Sequence, residues 1–159
     1  DKLYRYISLL DHEIKNYIKG FLTIVFISFF EYTLLYYIIG HPNALLLGIL
    51  SALGNFVPYF GGIFVQVIGV ITGFTLSPAL GISVIIATLI SSTIDSYILN
   101  PLVYGKSNQV HPIIVIAAVF GGGILFGFIG VIIALPLSII VLSSLKFYRE
   151  EISAKGNRK

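Results

Sequence analysis

Charge is almost absent from the middle of this 159-residue sequence. Of its 17 charged residues, seven lie in residues 1–19 and seven in residues 146–159, which leaves Glu31, Asp95 and Lys106 for the 126 residues between. A water-soluble domain needs charge on every surface element, whereas lipid solvates a long apolar surface. The distribution therefore predicts an all-α, polytopic integral membrane protein.

Cysteine is absent as well, which excludes disulfides, Cys-ligated metals and thiol chemistry. The sequence has no Ser-His-Asp set at usable spacing, no HExxH and no Walker A motif, so we expect no enzyme activity, cofactor or metal. The net charge of +3 comes from the two ends and favours an anionic membrane surface over nucleic acid. Because the chain opens at Asp1 without Met or a signal peptide, we expect that preceding segments are missing.

Segment lengths divide the sequence into an amphipathic start and two ordinary spans. Residues 1–19 form an apolar stripe at helical spacing, which predicts an interfacial helix or a packing face against missing helices. Residues 21–39 and 79–99 have nearly the ~20-residue length of a membrane span. Tyrosines near the ends of these spans suit an aromatic belt at the membrane surface: Tyr36, Tyr37 and Tyr97.

Two further apolar segments, residues 43–77 and 113–145, have an awkward length. A straight helix of about 34 residues would be about 51 Å long, well beyond a bilayer core of ~30 Å. Both segments are interrupted, so we predict two broken or re-entrant helical hairpins within a transmembrane domain of residues 20–146, followed by a basic tail. The predicted break or hinge residues are Gly54, Gly61, Gly62, Gly121, Gly122, Gly123 and Pro136.

The two halves of the sequence share a pattern. His41-Pro42 precedes the first interrupted segment, and His111-Pro112 precedes the second 70 residues later. Inverted repeats with interrupted segments in matching positions are typical of secondary transporters. The alternative is coincidence, because proline is common at the first turn of any helix.

Polar residues within apolar segments are the candidate pathway for a solute or ion, because such residues are costly in lipid. Asp95, preceded by the hydroxyl residues Ser91, Ser92 and Thr93, could exchange a proton or bind a cation, or could lie at the interface. Glu31 lies mid-span and either joins a polar pathway or pairs with a missing helix. The full set of candidates is Asp95, Glu31, Asn55, Pro58, Gln66, Asn100, Pro101 and His111.

Several segments in order resemble the autoinducer-2 exporter family of bacterial and archaeal membrane proteins. The resemblance covers about residues 14–145. It rests on Ala44–Gly48, Asn55–Gly61, Asp95, Asn100-Pro101, Gly105-Lys106-Ser107, His111-Pro112, Gly121-Gly122, Phe126-Gly127, Gly130 and Ala134-Leu135-Pro136. Many relatives have a basic residue where this chain has Leu102, and often a proline where it has Gly62.

The resemblance implies the C-terminal half of a multi-span inner-membrane protein that moves small solutes without ATP hydrolysis. Some members export autoinducer-2, and others exchange sodium or lithium for protons. We therefore expect an exporter of a small polar solute, with an antiporter or a non-transporting scaffold as alternatives. Expected partners are the lipid bilayer, a small polar solute or cation, the missing N-terminal spans and further copies of the chain.

Basic residues occur in alternate loops, which predicts the sidedness of the protein. Lys19, Lys106 and Lys146 should lie on the cytoplasmic side with the C-terminus, and His41 and Ser77 on the other side. Single-cysteine accessibility scanning in a Cys-free background measures this directly. Labelling of positions 106 and 41 from the same side would refute the layout.

Overall fold

The computed structural model of the chain describes residues 2–104 and 111–156, and every regular element within these ranges is helical. The predicted all-α class is therefore confirmed. Lys106 and the Gly105-Lys106-Ser107 segment lie outside the described residues. The elements are α1 (Lys2–Ile38), α2 (Ala44–Gly54), α3 (Phe60–Leu76), α4 (Pro78–Ile94), a π-helical turn (Asp95–Leu99), α5 (Asn100–Tyr104) and α6 (Pro112–Gly156).

Three helical segments are long and apolar enough to cross a membrane, judged by length and composition over the described part of the chain. They are Lys2–Ile38, Pro78–Val103 and Ile113–Arg149, and the last of these turns back at Gly127. The helices α2 and α3 are apolar but shorter, with 11 and 17 residues. At 1.5 Å per residue they extend about 16 and 25 Å, less than the ~30 Å hydrocarbon core.

The chain divides into two compact units, one of Gly20–Lys106 and one of Asp1–Lys19 with Ser107–Lys159. In the first unit, α1 to α4 share an apolar core of Tyr32, Tyr36, Ala44, Leu47, Val65 and Val84. The turn from α3 into α4 is set by Ser77, whose hydroxyl accepts the Leu80 N–H at 3.1 Å, and by Pro78 at the first helical position. This cap starts α4 immediately after α3.

The first interrupted segment breaks where the sequence predicted it, between Gly54 and Phe60. The Phe60 N–H donates to the Pro58 carbonyl at 2.7 Å, and Tyr59 between them has φ 63° and ψ −41°. A γ-turn of this hand around a non-glycine residue is rare and strained. The tip of the α2–α3 hairpin therefore stores backbone strain.

The second interrupted segment reverses at Gly127, not at Gly121–Gly123 as predicted. Gly127 has φ 62° and ψ −144°, a conformation open essentially to glycine alone. Residues before it pack against residues after it, with Val115 and Val119 on Ala134. The three earlier glycines and Pro136 lie inside the helical arms. The prediction was wrong because a helix tolerates glycine at about 1 kcal/mol, whereas the reversal requires a positive φ.

Helix α1 continues without a break through residue 19, although the two compact units divide at Lys19 and Gly20, so the interfacial role of residues 1–19 stays a prediction. The lone Gly20 costs about 1 kcal/mol in a helix, which is too little to end it. The start of α1 packs against the end of α6 within their unit. Tyr6 hydrogen-bonds Ser144 at 2.7 Å, and its ring centroid lies 5.4 Å from that of Phe147. The expected basic tail of residues 147–159 begins as part of α6, which is helical to Gly156.

Glycine contacts close both hairpins. A Cβ on Gly61 would lie 2.7 Å from the Gly54 Cα and would overlap the Gly54 carbonyl, and Gly122 and Gly130 approach each other in the same way. We expect Gly61→Ala to destabilise the protein by about 1–3 kcal/mol, because backbone cannot yield as a side chain would. Thermal unfolding of the purified complete protein in detergent measures the effect.

Gly62→Ala is the matched control, since a Cβ there meets nothing within 4 Å. Its Tm should equal or slightly exceed that of the unsubstituted protein. Equal Tm values for the two variants would show that the α2–α3 contact does not stabilise the hairpin.

Candidate functional site

Helices α1, α3 and α4 bring a set of polar side chains together beside the apolar core. The helix α1 contributes Tyr32, which is buried, and α3 contributes the half-buried Gln66. The helix α4 and the π-helical turn after it contribute Ser91, Ser92 and Asp95.

Short hydrogen bonds connect the cluster. The Tyr32 hydroxyl donates to Asp95 Oδ2 at 2.8 Å, and Gln66 Nε2 donates to Ser92 Oγ at 2.6 Å. The Ser92 hydroxyl in turn donates to the Thr88 carbonyl at 2.7 Å, one turn earlier on α4. These bonds fix the side chains of three helices relative to one another.

Glu31 completes the cluster as a second carboxyl group. It lies within interaction range of Asp95 and contacts the Ser91 hydroxyl. Glu31 and Asp95 are the charged residues of the whole stretch from residue 20 to residue 104. Two neighbouring carboxylates repel each other in an apolar setting, and a shared proton or a bound cation removes that repulsion. The pair is therefore suited to take up one positive charge.

The helix becomes wider at Asp95 than a regular α-helix. Residues Asp95–Leu99 form a π-helical turn, and the Asn100 N–H donates to the Asp95 carbonyl five residues back. Pro101 lacks an N–H and its ring would crowd the Tyr97 carbonyl in a regular helix, so the wider turn accommodates it. Asn100 and Pro101 are predicted pathway residues, and in the structure they shape the helix that carries Asp95.

One carboxylate oxygen of the pair is unsatisfied. Asp95 Oδ1 is buried and has no hydrogen-bond partner among the described residues. A buried charged acceptor without a donor is costly, and native structures have few of them. The oxygen is a ready acceptor for a proton or a ligand for a cation.

The turn after α1 holds a buried histidine. His41 is 3% exposed; its Nδ1 accepts the Asn43 N–H at 3.2 Å, and Nε2 lies 3.1 Å from Thr72 Oγ1 on α3. The Thr72 hydroxyl donates to the Ile68 carbonyl at 2.7 Å, so its oxygen accepts a hydrogen from Nε2. This network fixes a neutral ring with its hydrogen on Nε2, and burial lowers the pKa of His41.

The other predicted residues do not join the cluster. Asn55 Nδ2 donates to the Ser51 and Ala52 carbonyls and caps α2, while Pro58 lies in the strained turn. His111 is exposed, and its Nδ1 accepts the Ile113 N–H at 3.3 Å. The two His-Pro pairs thus make the same local hydrogen bond. No group of three or more His, Cys, Asp or Glu that could hold a metal occurs within residues 2–104 and 111–156.

The buried tyrosines Tyr32 and Tyr36 were not predicted from the sequence. Tyr32 was given no role, and Tyr36 was assigned to an aromatic belt, although it is fully buried and belongs to the core. Tyr37 and Tyr97 are 74% and 80% exposed, as a belt requires. The i, i+4 spacing of Tyr32 and Tyr36 with Ser28, all on one helical face, was the available signal.

A family model described as "AI-2E family transporter" matches residues 1–150. "Putative transport protein YueF" of Bacillus subtilis (strain 168) is 40% identical over 106 residues, which cover 67% of this chain and 29% of that protein. "Putative transport protein YrrI" of the same organism is 30% identical over 132 residues, which cover 83% of this chain and 37% of that protein. The chain thus spans about a third of the length of these relatives. No solved structure matches the chain.

The environment of His41 predicts a dependence of stability on pH. The lowered pKa means that the unfolded chain binds a proton more readily than the folded chain, so stability falls as pH drops below ~6.5 and levels off below the folded pKa. The Tm of the complete protein should therefore decrease more between pH 8 and pH 5 than that of His41→Gln. The exposed His12 and His111 are present in both proteins, so their contributions cancel when the two Tm profiles are compared. Parallel Tm profiles would contradict the prediction.

Proposed function

The chain belongs to the AI-2E transporter family, and from this premise we propose that it is part of a secondary transporter that moves a small polar solute across the cell membrane. In this proposal the Glu31–Asp95 pair holds the proton or cation to which solute movement is coupled. The proposal includes a multi-pass arrangement with the C-terminus in the cytoplasm and a homo-oligomeric assembly.

The meeting of two acids from different helices is the observation that carries the proposal. An ionisable group within a membrane span is costly, and the usual reason for keeping one is function. Glu31 and Asp95 are 64 residues apart in sequence, and the fold places them side by side with the hydroxyls of Tyr32 and Ser91. A non-transporting scaffold has no use for such a pair, which favours transport over that alternative.

Sodium/proton exchange is the second candidate, and the unsatisfied Asp95 Oδ1 favours it. Carboxylate and hydroxyl oxygens are the ligands that hard cations prefer, and the cluster offers them from Glu31, Asp95 and Ser91. A proton and a cation that compete for the same pair would give exchange. The solute exporter and the antiporter therefore share one site and differ in the cargo.

The hairpins supply the moving parts in this proposal. The strained turn at Tyr59 and the reversal at Gly127 each join two helices, and backbone conformations at such joints can differ between states. Asn55, Pro58 and His111 are proposed to line the solute route near these ends, with Asn100 and Pro101 close to Asp95. Broken helices in membranes expose backbone groups that can bind solutes.

Removal of either charge should uncouple transport. We expect Asp95→Asn and Glu31→Gln, which preserve shape, to lower pH-gradient-driven flux by at least about tenfold, because neither variant can hold the coupling charge pair. The assay uses the complete protein in liposomes, with autoinducer-2 and sodium tested side by side. Solute flux, sodium flux and their dependence on the pH gradient are recorded for each variant.

Asp11→Asn is the matched control. Asp11 is an exposed acid on α1, the helix that carries Glu31, and it pairs with Lys15. It should transport like the unsubstituted protein. If Asp95→Asn moves autoinducer-2 and sodium at the original rates with unchanged pH dependence, Asp95 is an interfacial residue and the proposed role of the pair is wrong.

A further inference from the structure

The helices α3 and α4 are joined at one end and hydrogen-bonded towards the other. They follow each other through the turn at Ser77, and a Cβ on Gly73 would lie only 3.2 Å from the Gly81 Cα. Gln66 lies about 16 Å along α3 from Ser77 at 1.5 Å per residue, and its Nε2 donates to Ser92 Oγ on α4 at 2.6 Å. Close backbone packing thus joins the helices near the turn, and a side-chain hydrogen bond joins them far from it.

Stability alone does not explain the Gln66–Ser92 bond. Interhelical hydrogen bonds within membranes contribute little to stability on average, and a methionine of similar length would avoid placing an amide in an apolar helix. Gln66 lies on the hairpin arm that begins at the strained turn of Tyr59, about 10 Å away along the helix. A bond that joins this arm to α4 is better explained by the movement that it restrains.

The Ser92 hydroxyl connects this bond to the carboxyl pair. Its hydrogen goes to the Thr88 carbonyl at 2.7 Å, and its oxygen accepts from Gln66. The Tyr32 hydroxyl, which donates to Asp95 Oδ2 at 2.8 Å, lies within interaction range of the same Ser92 oxygen. That oxygen is therefore approached by Gln66 from α3 and by Tyr32 from α1.

We propose that the Gln66–Ser92 bond is a latch, which holds the α2–α3 hairpin against α4 while Asp95 is ionised and loosens when Asp95 takes up a proton. The proposal rests on the coupling role of the Glu31–Asp95 pair. An ionised carboxylate is a strong acceptor and keeps the Tyr32 hydrogen. A protonated carboxyl group is a weaker acceptor, so the Tyr32 hydroxyl can turn to Ser92 Oγ and compete there with Gln66. The proton comes from the aqueous phase and stays on Asp95, while the Tyr32 hydrogen stays on its own oxygen.

The latch and the protonation of Asp95 affect each other in both directions. Because protonation weakens the latch, linkage requires that loss of the latch makes protonation easier. Helices α2, α3 and α4 contain no titratable side chain. Among the described side chains, the titratable groups beside Asp95 are Glu31 and Tyr32, while Tyr97 of the same turn is 80% exposed. A latched hairpin therefore favours the ionised pair, and a released hairpin favours the protonated pair.

The test measures flux against pH. The complete protein is reconstituted in liposomes, and autoinducer-2 flux and sodium flux are each recorded over a series of pH values that are equal on both sides. Gln66→Met removes the latch and leaves Ser92 open to Tyr32, so the pH of half-maximal flux should rise by at least about half a unit. Ser92→Ala removes the oxygen for which the two donors compete. The double variant Gln66→Met/Ser92→Ala should therefore have a midpoint at or below that of the unsubstituted protein.

Thr75→Val is the matched control, because Thr75 is an exposed residue of α3 whose hydroxyl donates to the Thr72 carbonyl of its own helix. Its midpoint should be unchanged. An unchanged midpoint in Gln66→Met, or a shift that persists when Ser92→Ala is added, would overturn the latch. If Asp95→Asn still removes the pH dependence in that case, the coupling role of the pair stands. Flux that does not vary with pH in the unsubstituted protein would overturn both.

Discussion

The structure depends on the cost of placing two carboxyl groups in an apolar stretch of about 85 residues. Both residues are half-buried, so each carboxyl group must be met at least in part by protein hydrogen-bond donors or by the other. The fold meets this demand by bringing Glu31 of α1 beside Asp95 in the π-helical turn after α4, with a tyrosine hydroxyl bonded to one acid and a serine beside the other. The same contacts that lower the free-energy cost of these two carboxyl groups leave the pair able to hold one positive charge.

Backbone constraints set the rest of the architecture. Both hairpins turn where a conformation outside the usual allowed regions is required, at Tyr59 in one and at Gly127 in the other. Both close through contact between two glycines, and both are preceded by a His-Pro pair whose Nδ1 accepts a backbone N–H two residues on. These shared details agree with a repeated unit. The two copies nevertheless differ, because His41 is buried against Thr72 whereas His111 is exposed.

The helical class, the first hairpin break and three members of the cluster were predictable from sequence, because a polar residue or a Gly/Pro break stands out in an apolar stretch. Glu31, Gln66 and Asp95 were found in this way. The reversal at Gly127 was not, because five glycines in that region offer the same flexibility and packing selects one. Tyr36 was misplaced because a tyrosine near a span end fits a surface belt and a buried core equally well in sequence. Its neighbours on α3 decide between the two.

A double-mutant cycle on Glu31→Gln and Asp95→Asn tests the central claim, that the two acids act as one unit. The free energy of unfolding of the complete protein in detergent is measured for both single variants and for the double variant. A pair in contact should give an interaction energy of about 0.5–3 kcal/mol, because removal of either carboxyl already relieves the repulsion. Additivity within about 0.3–0.5 kcal/mol would mean that Glu31 and Asp95 do not sense each other, and the account would fail.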